Sequence, residues 1–410
     1  MSKEQRLFYG SCFALITTAF SFSIRAGVLP ELGTELSLNA TQLGYINSMW
    51  FFGFPISMII GGLVYHTVGG QRIMQFAFLA HAIGILLTIY AGSYAVLMIS
   101  TFLIGLGNGC TEAACNPMIA DAYDGIKMSK MMNRFHMWFP GGIVIGSLIS
   151  QFMGPGGLGL AWQAQIWVIM IPTIVYAYLF WGQDWPKAKI AEATSFNKNL
   201  QAMLTPLFLF MLACMALTAI SEFGPQQWVQ LTLAESGAQP MVILALVTGL
   251  MAVARWFGGD VVKQFNTTGV LLGSAVLSTI GLILFSTQIG FMTYVAAIVY
   301  GLGIAYFWPN MIGFIADYVP KSGAIGMSVV GAMGMFSSMI FQPIIGAWID
   351  GNRAAGEADG LTGGALELFT GQATLGTMVL FPGILIVLFG GLYYYMRNQP
   401  KAETQTVSAH

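Results

Sequence analysis

Twelve apolar runs, separated by short polar or Pro/Gly-rich punctuation, constrain this chain more than any motif in it. They lie near residues 7–29, 42–65, 73–93, 95–121, 133–153 and 162–183, then 203–232, 240–258, 267–287, 290–317, 324–349 and 373–396. A helix needs ~20 residues to cross ~30 Å of hydrocarbon, and each run is about that long or longer. Only helices or closed barrels satisfy their own backbone groups in lipid, and runs of this length fit helices. Composition agrees, with 56% hydrophobic and 8% charged residues, against roughly 25% charged in soluble domains. The first run follows Lys3, Glu4 and Arg6 and exceeds a signal-peptide h-region, so it reads as an uncleaved first span.

Basic residues orient the chain, because Lys and Arg accumulate in short cytoplasmic loops. With the N-terminus cytoplasmic, that face collects Lys3, Arg6, Arg72, Lys127, Lys130, Arg134, Lys187, Lys189, Lys198, Arg255, Lys263, Lys321, Arg397 and Lys401, leaving only Arg25 and Arg353 elsewhere. A missed or extra span would scatter the later charges, so the count is even and both termini are expected to be cytoplasmic. The expected fold class is therefore an all-α membrane protein of two six-helix bundles, 1–183 and 200–396. A cytoplasmic linker, 184–199, joins them, and a tail, 397–410, follows. An internal repeat supports duplication: Gly105-Leu106-Gly107 and Ile119-Ala120-Asp121 recur as Gly301-Leu302-Gly303 and Ile315-Ala316-Asp317, both at an offset of 196 residues. Two such halves around a midplane site are a transporter arrangement.

Several function classes drop out. A net charge of -1 with scattered basic residues argues against a nucleic-acid partner. Cys12, Cys110, Cys115 and Cys214 lie in apolar runs without ligand spacing, and His66, His81, His136 and His410 form no metal or nucleophile set. No cofactor, metal or enzymatic activity is expected. The expected partners are a small solute, a coupling cation and the bilayer, for a monomer in a plasma membrane of the bacterial inner-membrane type.

At this level the chain resembles the major facilitator superfamily over nearly its whole length. The loop Gly61-Gly62-Leu63-Val64-Tyr65-His66-Thr67-Val68-Gly69-Gly70-Gln71-Arg72 is similar to the cytoplasmic Gly-x-Leu-x-Asp-Arg-x-Gly-Arg signature, with Tyr65 in place of Asp. The fourth span, Glu112-Ala113-Ala114-Cys115-Asn116-Pro117, resembles the Glu-x-Ala-x-Asn-Pro helix of the fucose and glucose permeases. Asn133-Arg134-Phe135-His136 with Gly141-Gly142, Glu222 to Trp228, Ala254 to Gly259, Trp308-Pro309-Asn310 and Gln342-Pro343 add to the likeness. The resemblance implies cation-coupled sugar symport by alternating access. One position departs: the helix-one carboxylate of the fucose permease falls on Ala26 here, beside Arg25. An Arg in helix one with a Glu in helix four also resembles organic-anion symporters. Transport of a sugar acid or other organic anion, with Arg25 as counter-ion, stays open, as does uncoupled facilitation.

Ionisable groups within spans are costly and mark function. Glu112 is expected to couple transport to a cation, H+ or Na+, with Arg25 pairing to it when the site is empty. The alternative for Arg25, close to the end of the 7–29 run, is snorkelling to the outer headgroups. Glu222 precedes Gly224 and Pro225, and broken helices are where transporters place sites. Gln226, Gln227 and Trp228 beside it combine amides with an aromatic face, either for sugar recognition or as an interfacial belt. Asn47, Trp50, Asn116, His136, Trp138, Trp308, Asn310 and Gln342 complete the expected substrate-binding set. Asp121, Arg255 and Asp317, at cytoplasmic helix ends, are expected to form gating ion pairs between the halves.

Overall fold

The computed structural model describes residues 1–123, 125–186 and 196–397. Lys187, Lys189 and most of the expected linker, together with the tail from 398 onward, including Lys401, lie outside the described residues. Twelve alternating traverses make up the rest. The first six are Lys3–Glu35, Ala40–Val68, Gly70–Ile89, Tyr94–Ala122, the pair Gly125–His136 and Trp138–Met153, and Trp162–Phe180. The second six are Pro206–Gln227 continued by Val229–Thr232, Pro240–Trp256, Gly258–Thr287, the pair Phe291–Ile304 and Phe307–Tyr318, Gly323–Ala358, and the pair Gly363–Met378 and Leu380–Met396. They are called spans one to twelve below. A short helix, Phe196–Met203, precedes span seven.

Local chemistry sets the helix ends. Ser2 and Asn39 open spans one and two with reciprocal capping boxes through Gln5 and Gln42. Gly69, at φ 85°, turns the chain between spans two and three in a conformation that β-carbon-bearing residues rarely adopt. Asn266 (φ 57°, ψ 166°) kinks the helix that carries span nine, separating a polar surface turn at 258–265 from the traverse. That is why the apolar run near 267–287 begins well inside the helix. Span one extends two turns past its apolar run, to Glu35, so Arg25 is deeper than the run suggested.

Spans one to six pack together, as do seven to twelve, and the halves meet mainly through spans two and eleven, five and eight, and one and seven. Spans four and ten keep their principal neighbours within their own halves. The cross-half contacts lie between mid-membrane and the face opposite the termini, where the seam between spans two and eleven is backbone-tight. A Cβ built on Gly44 would meet Gln342 O and Pro343 Cα at 2.5 Å, and one on Gly346 would meet Ala40 O at 2.2 Å. At the top of this seam the Asp350 carboxylate of span eleven caps the start of span two. It accepts from Ala40 N (2.9 Å), Thr41 N (2.9 Å) and Thr41 Oγ1 (2.6 Å). The protein is closed toward the outside.

Candidate functional site

Span one carries the central charge. Arg25 is 6% exposed, and its Nη2 donates to Gln227 Oε1 of span seven at 2.5 Å. Gln227 in turn donates from Nε2 to Phe22 O at 3.2 Å, which fixes the amide's orientation. The guanidinium lies over the Trp50 ring of span two, 5.4 Å from its centroid, a cation–π arrangement. Arg25 Nε and Nη1 have no hydrogen-bond partner, and among the described residues Arg25 makes no ion pair. Burying a charge without a counter-ion is costly, so the guanidinium is held here by an amide and a ring face rather than by a structural ion pair. Both side-chain polar atoms of Asn47, one turn before Trp50, are buried and unpartnered, as is Gln342 Oε1 opposite Gly44.

A hydrogen-bond chain holds this site from behind. Trp50 Nε1 donates to Ser21 Oγ at 3.0 Å, and Asn108 Nδ2 of span four donates to the same oxygen at 3.1 Å. Asn108 Oδ1 is 2.9 Å from His81 Nε2, and His81 Nδ1 is 2.9 Å from Tyr176 OH. Because the Asn108 oxygen can only accept, Nε2 carries the proton and Nδ1 accepts from Tyr176. Gly107 makes room, since a Cβ there would sit 2.4 Å from the His81 ring. His81, Asn108, Ser21 and Tyr176 were not among the residues expected from sequence. The Gly107-Asn108-Gly109 spacing was their one visible signal.

Below Arg25, toward the termini, aromatic rings close the path. Phe22 makes edge-on contacts with Trp50, Phe51, Phe139 and Phe223, at centroid distances of 5.6 to 6.4 Å. Phe223 extends the layer to Trp308 of span ten. Spans one, two, five, seven and ten thus contribute to one apolar sheet of rings.

The other expected residues fall around this layer. Glu112 is half-buried and accepts from Asn116 Nδ2, one turn along span four, at 2.6 Å. It does not pair with Arg25. At 1.5 Å per residue, Arg25 lies about 15 Å from the outer end of span one and Glu112 about 27 Å from that of span four, leaving them on different levels. His136 is exposed, as is Trp138, and Met137 separates the two helices of span five. Asn310 is 8% exposed and donates to Tyr306 O. Gln226 is buried with its amide 3.8 Å from Met251 Sδ. Trp228, fully buried at the joint of the two span-seven helices, is no interfacial belt residue.

Of the expected gating set, Arg255 is the member whose ion-pair partner lies in its own half. Arg255 Nη2 faces Glu222 Oε1 at 3.6 Å, both within the second half. Asp121 accepts from Tyr65 OH at 3.0 Å within the first half. Asp317 is half-buried at the cytoplasmic end of span ten. With the cross-half contacts concentrated at the outer face, Arg255 and Asp121 find these partners in their own bundles. Tyr65, which replaces the signature Asp, thereby becomes a donor to an acid rather than an acid itself.

The family described as Major Facilitator Superfamily matches residues 11–342. Among curated relatives, the 3-(3-hydroxy-phenyl)propionate transporter of Escherichia coli (strain K12) is 23% identical over 400 residues, covering 94% of this chain and 93% of that protein. The hexuronate transporter of Bacillus subtilis (strain 168) is 23% identical over 167 residues, 40% of this chain and 39% of that one. Among solved structures, a bacterial homologue of the human lysosomal transporter Spinster, inward-facing and unoccupied, superposes with a TM-score of 0.82 at 14% identity, covering 98% of this chain and 100% of that chain.

Proposed function

Since the chain belongs to the Major Facilitator Superfamily and is a secondary transporter, we propose that it carries a small hydroxylated organic carboxylate by proton-coupled symport, with Arg25 as the counter-ion of the substrate. The observation that carries this reading is the buried guanidinium of Arg25, which has two free nitrogens and, among the described residues, no acid paired with it. A guanidinium fork matches a carboxylate in two parallel hydrogen bonds, which a neutral sugar does not offer. Gln227, Asn47 and Gln342 supply amide groups for hydroxyls on the rest of the molecule, and the Phe22–Phe223–Trp308 layer supplies apolar surface. Relatives named for an aromatic hydroxy acid and for hexuronates, both carboxylates with hydroxyl groups, support the class. This reading prefers the organic-anion alternative to neutral sugar and leaves the fucose-permease likeness as one of sequence pattern.

In the proposal Glu112 exchanges the coupling proton from the cytoplasmic side, where it is half-buried and held by Asn116. The halves, 1–183 and 200–396, rock about the Arg25 level in a plasma membrane of the bacterial inner-membrane type, and the monomer suffices. The test is thermal stabilisation of purified protein by a panel of hydroxylated aromatic acids, hexuronates and the matching neutral hexoses, at two pH values with and without Na+. Ligands that bind only the folded state raise the melting point with concentration. Carboxylates are expected to stabilise the protein independently of Na+. Stabilisation by neutral hexoses with no response to any carboxylate would overturn the assignment.

A further inference from the structure

Two broken helices in the second half share one acid–base pair. Pro225 in span seven has no N–H, so Ser221 O loses its helical donor. The Tyr300 hydroxyl of span ten takes that place, donating to Ser221 O at 2.7 Å and to Glu222 O at 3.1 Å. Pro309 in span ten frees Ala305 O in the same way, at the gap between Phe291–Ile304 and Phe307–Tyr318. Arg255 Nε of span eight donates to that carbonyl at 2.8 Å. The other end of the same guanidinium faces Glu222 Oε1 at 3.6 Å, while Glu222 Oε2 is buried without a partner. The Glu222–Arg255 pair therefore spans both proline breaks.

We propose that a proton taken up on Glu222 displaces Arg255 as its partner, and that this exchange is the second coupling event of the transport cycle, untying the two proline breaks from each other so that each can bend. The proton arrives from water along Arg255, whose side chain is 29% exposed against 6% for Glu222. It binds the unpartnered oxygen, leaving a neutral acid and a guanidinium held only by Ala305 O. Arg255 from span eight and Tyr300 from span ten are the charged or titratable groups facing Glu222 among the described residues, and the Tyr300 hydroxyl is committed to backbone carbonyls. From span one, Arg25 reaches span seven five residues further on, at Gln227. The ionisable residues of spans eleven and twelve sit at their ends, Asp350, Arg353, Glu357 and Glu367 at the outer end and Tyr393, Tyr394 and Tyr395 at the cytoplasmic end. Bending span seven at Gly224-Pro225 moves Gln227, so proton uptake at Glu222 is felt at the Arg25 site. The inference rests on the reading of the protein as proton-coupled, but not on which carboxylate it carries.

Hydrogen exchange of the full chain in nanodiscs tests it without a substrate. After correction for intrinsic rates, exchange at 221–228 and 304–310 in the wild type is expected to rise roughly tenfold from pH 8 to pH 5.5, with span three as an internal reference. Glu222→Gln is expected to hold both segments at the acidic behaviour at either pH. Glu222→Asp, which keeps the carboxylate and guards against a misfolded amide variant, retains the pH response. Arg255→Lys, which keeps the charge and loses the fork, raises exchange at 304–310 at both pH values. A pH-independent wild type, or a pH response that persists in Glu222→Gln, overturns the proposal. In proteoliposomes Glu222→Gln is expected to lose acid-driven accumulation of carboxylate. Absence of accumulation in the wild type as well would count against the substrate assignment alone, since the exchange result stands apart from it.

Discussion

Replacing Asp350 with alanine is expected to tip the protein away from its outward-closed state. The Asp350 carboxylate accepts two backbone N–H groups and one hydroxyl at the start of span two, across the boundary between the halves. Charge-assisted bonds contribute ~1.5–3 kcal/mol each when buried. Asp350 is half-buried, and both partners regain water when the seam opens, so the three together are discounted to about 2 kcal/mol, with the favourable end of the helix dipole included. That energy exists only in the closed arrangement, so its loss changes the open-to-closed ratio by roughly 30-fold. The four native cysteines are buried, so spin labels on cysteines placed at exposed Gly92 and Ala358 report the outer opening by pulsed dipolar distances. Asp350→Ala is expected to convert a single short distance into a mixture dominated by the longer one. Asp350→Asn, which keeps one acceptor oxygen, is expected to fall between. An unchanged distance distribution in Asp350→Ala would refute the reasoning that this cap holds the gate.

Gly44→Ala should move the same label pair in the same direction, because its Cβ would meet Gln342 O at 2.5 Å across the seam, whereas Gly62→Ala, with open space around it, should not. Arg25→Lys keeps a cation but loses the planar fork and the Gln227 geometry. It is expected to weaken carboxylate binding by one to two orders of magnitude, about 1.5–3 kcal/mol, measured by titration calorimetry. His81→Phe leaves Asn108 Oδ1 and Tyr176 OH buried without partners, a cost of about 1–3 kcal/mol for each. The matching readout is a lowered melting point, together with a weaker carboxylate affinity that His81→Gln partly restores by supplying an amide N–H. A melting point unchanged in His81→Phe would show that the chain behind Trp50 is not holding the site.

The bilayer made the spans legible, because an apolar run of twenty residues has few other homes, and span seven is interrupted at Trp228, three residues past the Pro225 that pointed to a broken helix. Helix ends were less visible. Span one continues to Glu35 through Pro30, which put Arg25 two turns deeper and took away its route to the headgroups. Partners were least visible of all. Arg25 and Gln227 are 202 residues apart, and nothing local to either says that they meet, while Glu112, the expected partner, is satisfied one turn along its own helix by Asn116. Glu222 and Arg255 were each singled out, one for the cavity and one for a gate, but their pairing needs the packing of span seven against span eight. Asp350 hid in plain view as a polar residue ending an apolar run.

The layer of rings beneath Arg25 also has an electrical meaning. A membrane that drives symport is a charged capacitor, with each elementary charge worth ~2.3 kcal/mol per 100 mV across it. Any water thread through a resting carrier would short it. Phe22, Phe51, Phe139 and Phe223 bring no polar side-chain atom to the boundary between the Arg25 level and the cytoplasmic side. Moving a bare ion into such a medium costs several kcal/mol even after relaxation. The rings thus act as a dielectric, an insulating layer between the Arg25 level and the cytoplasmic side that a bare ion does not cross unaided.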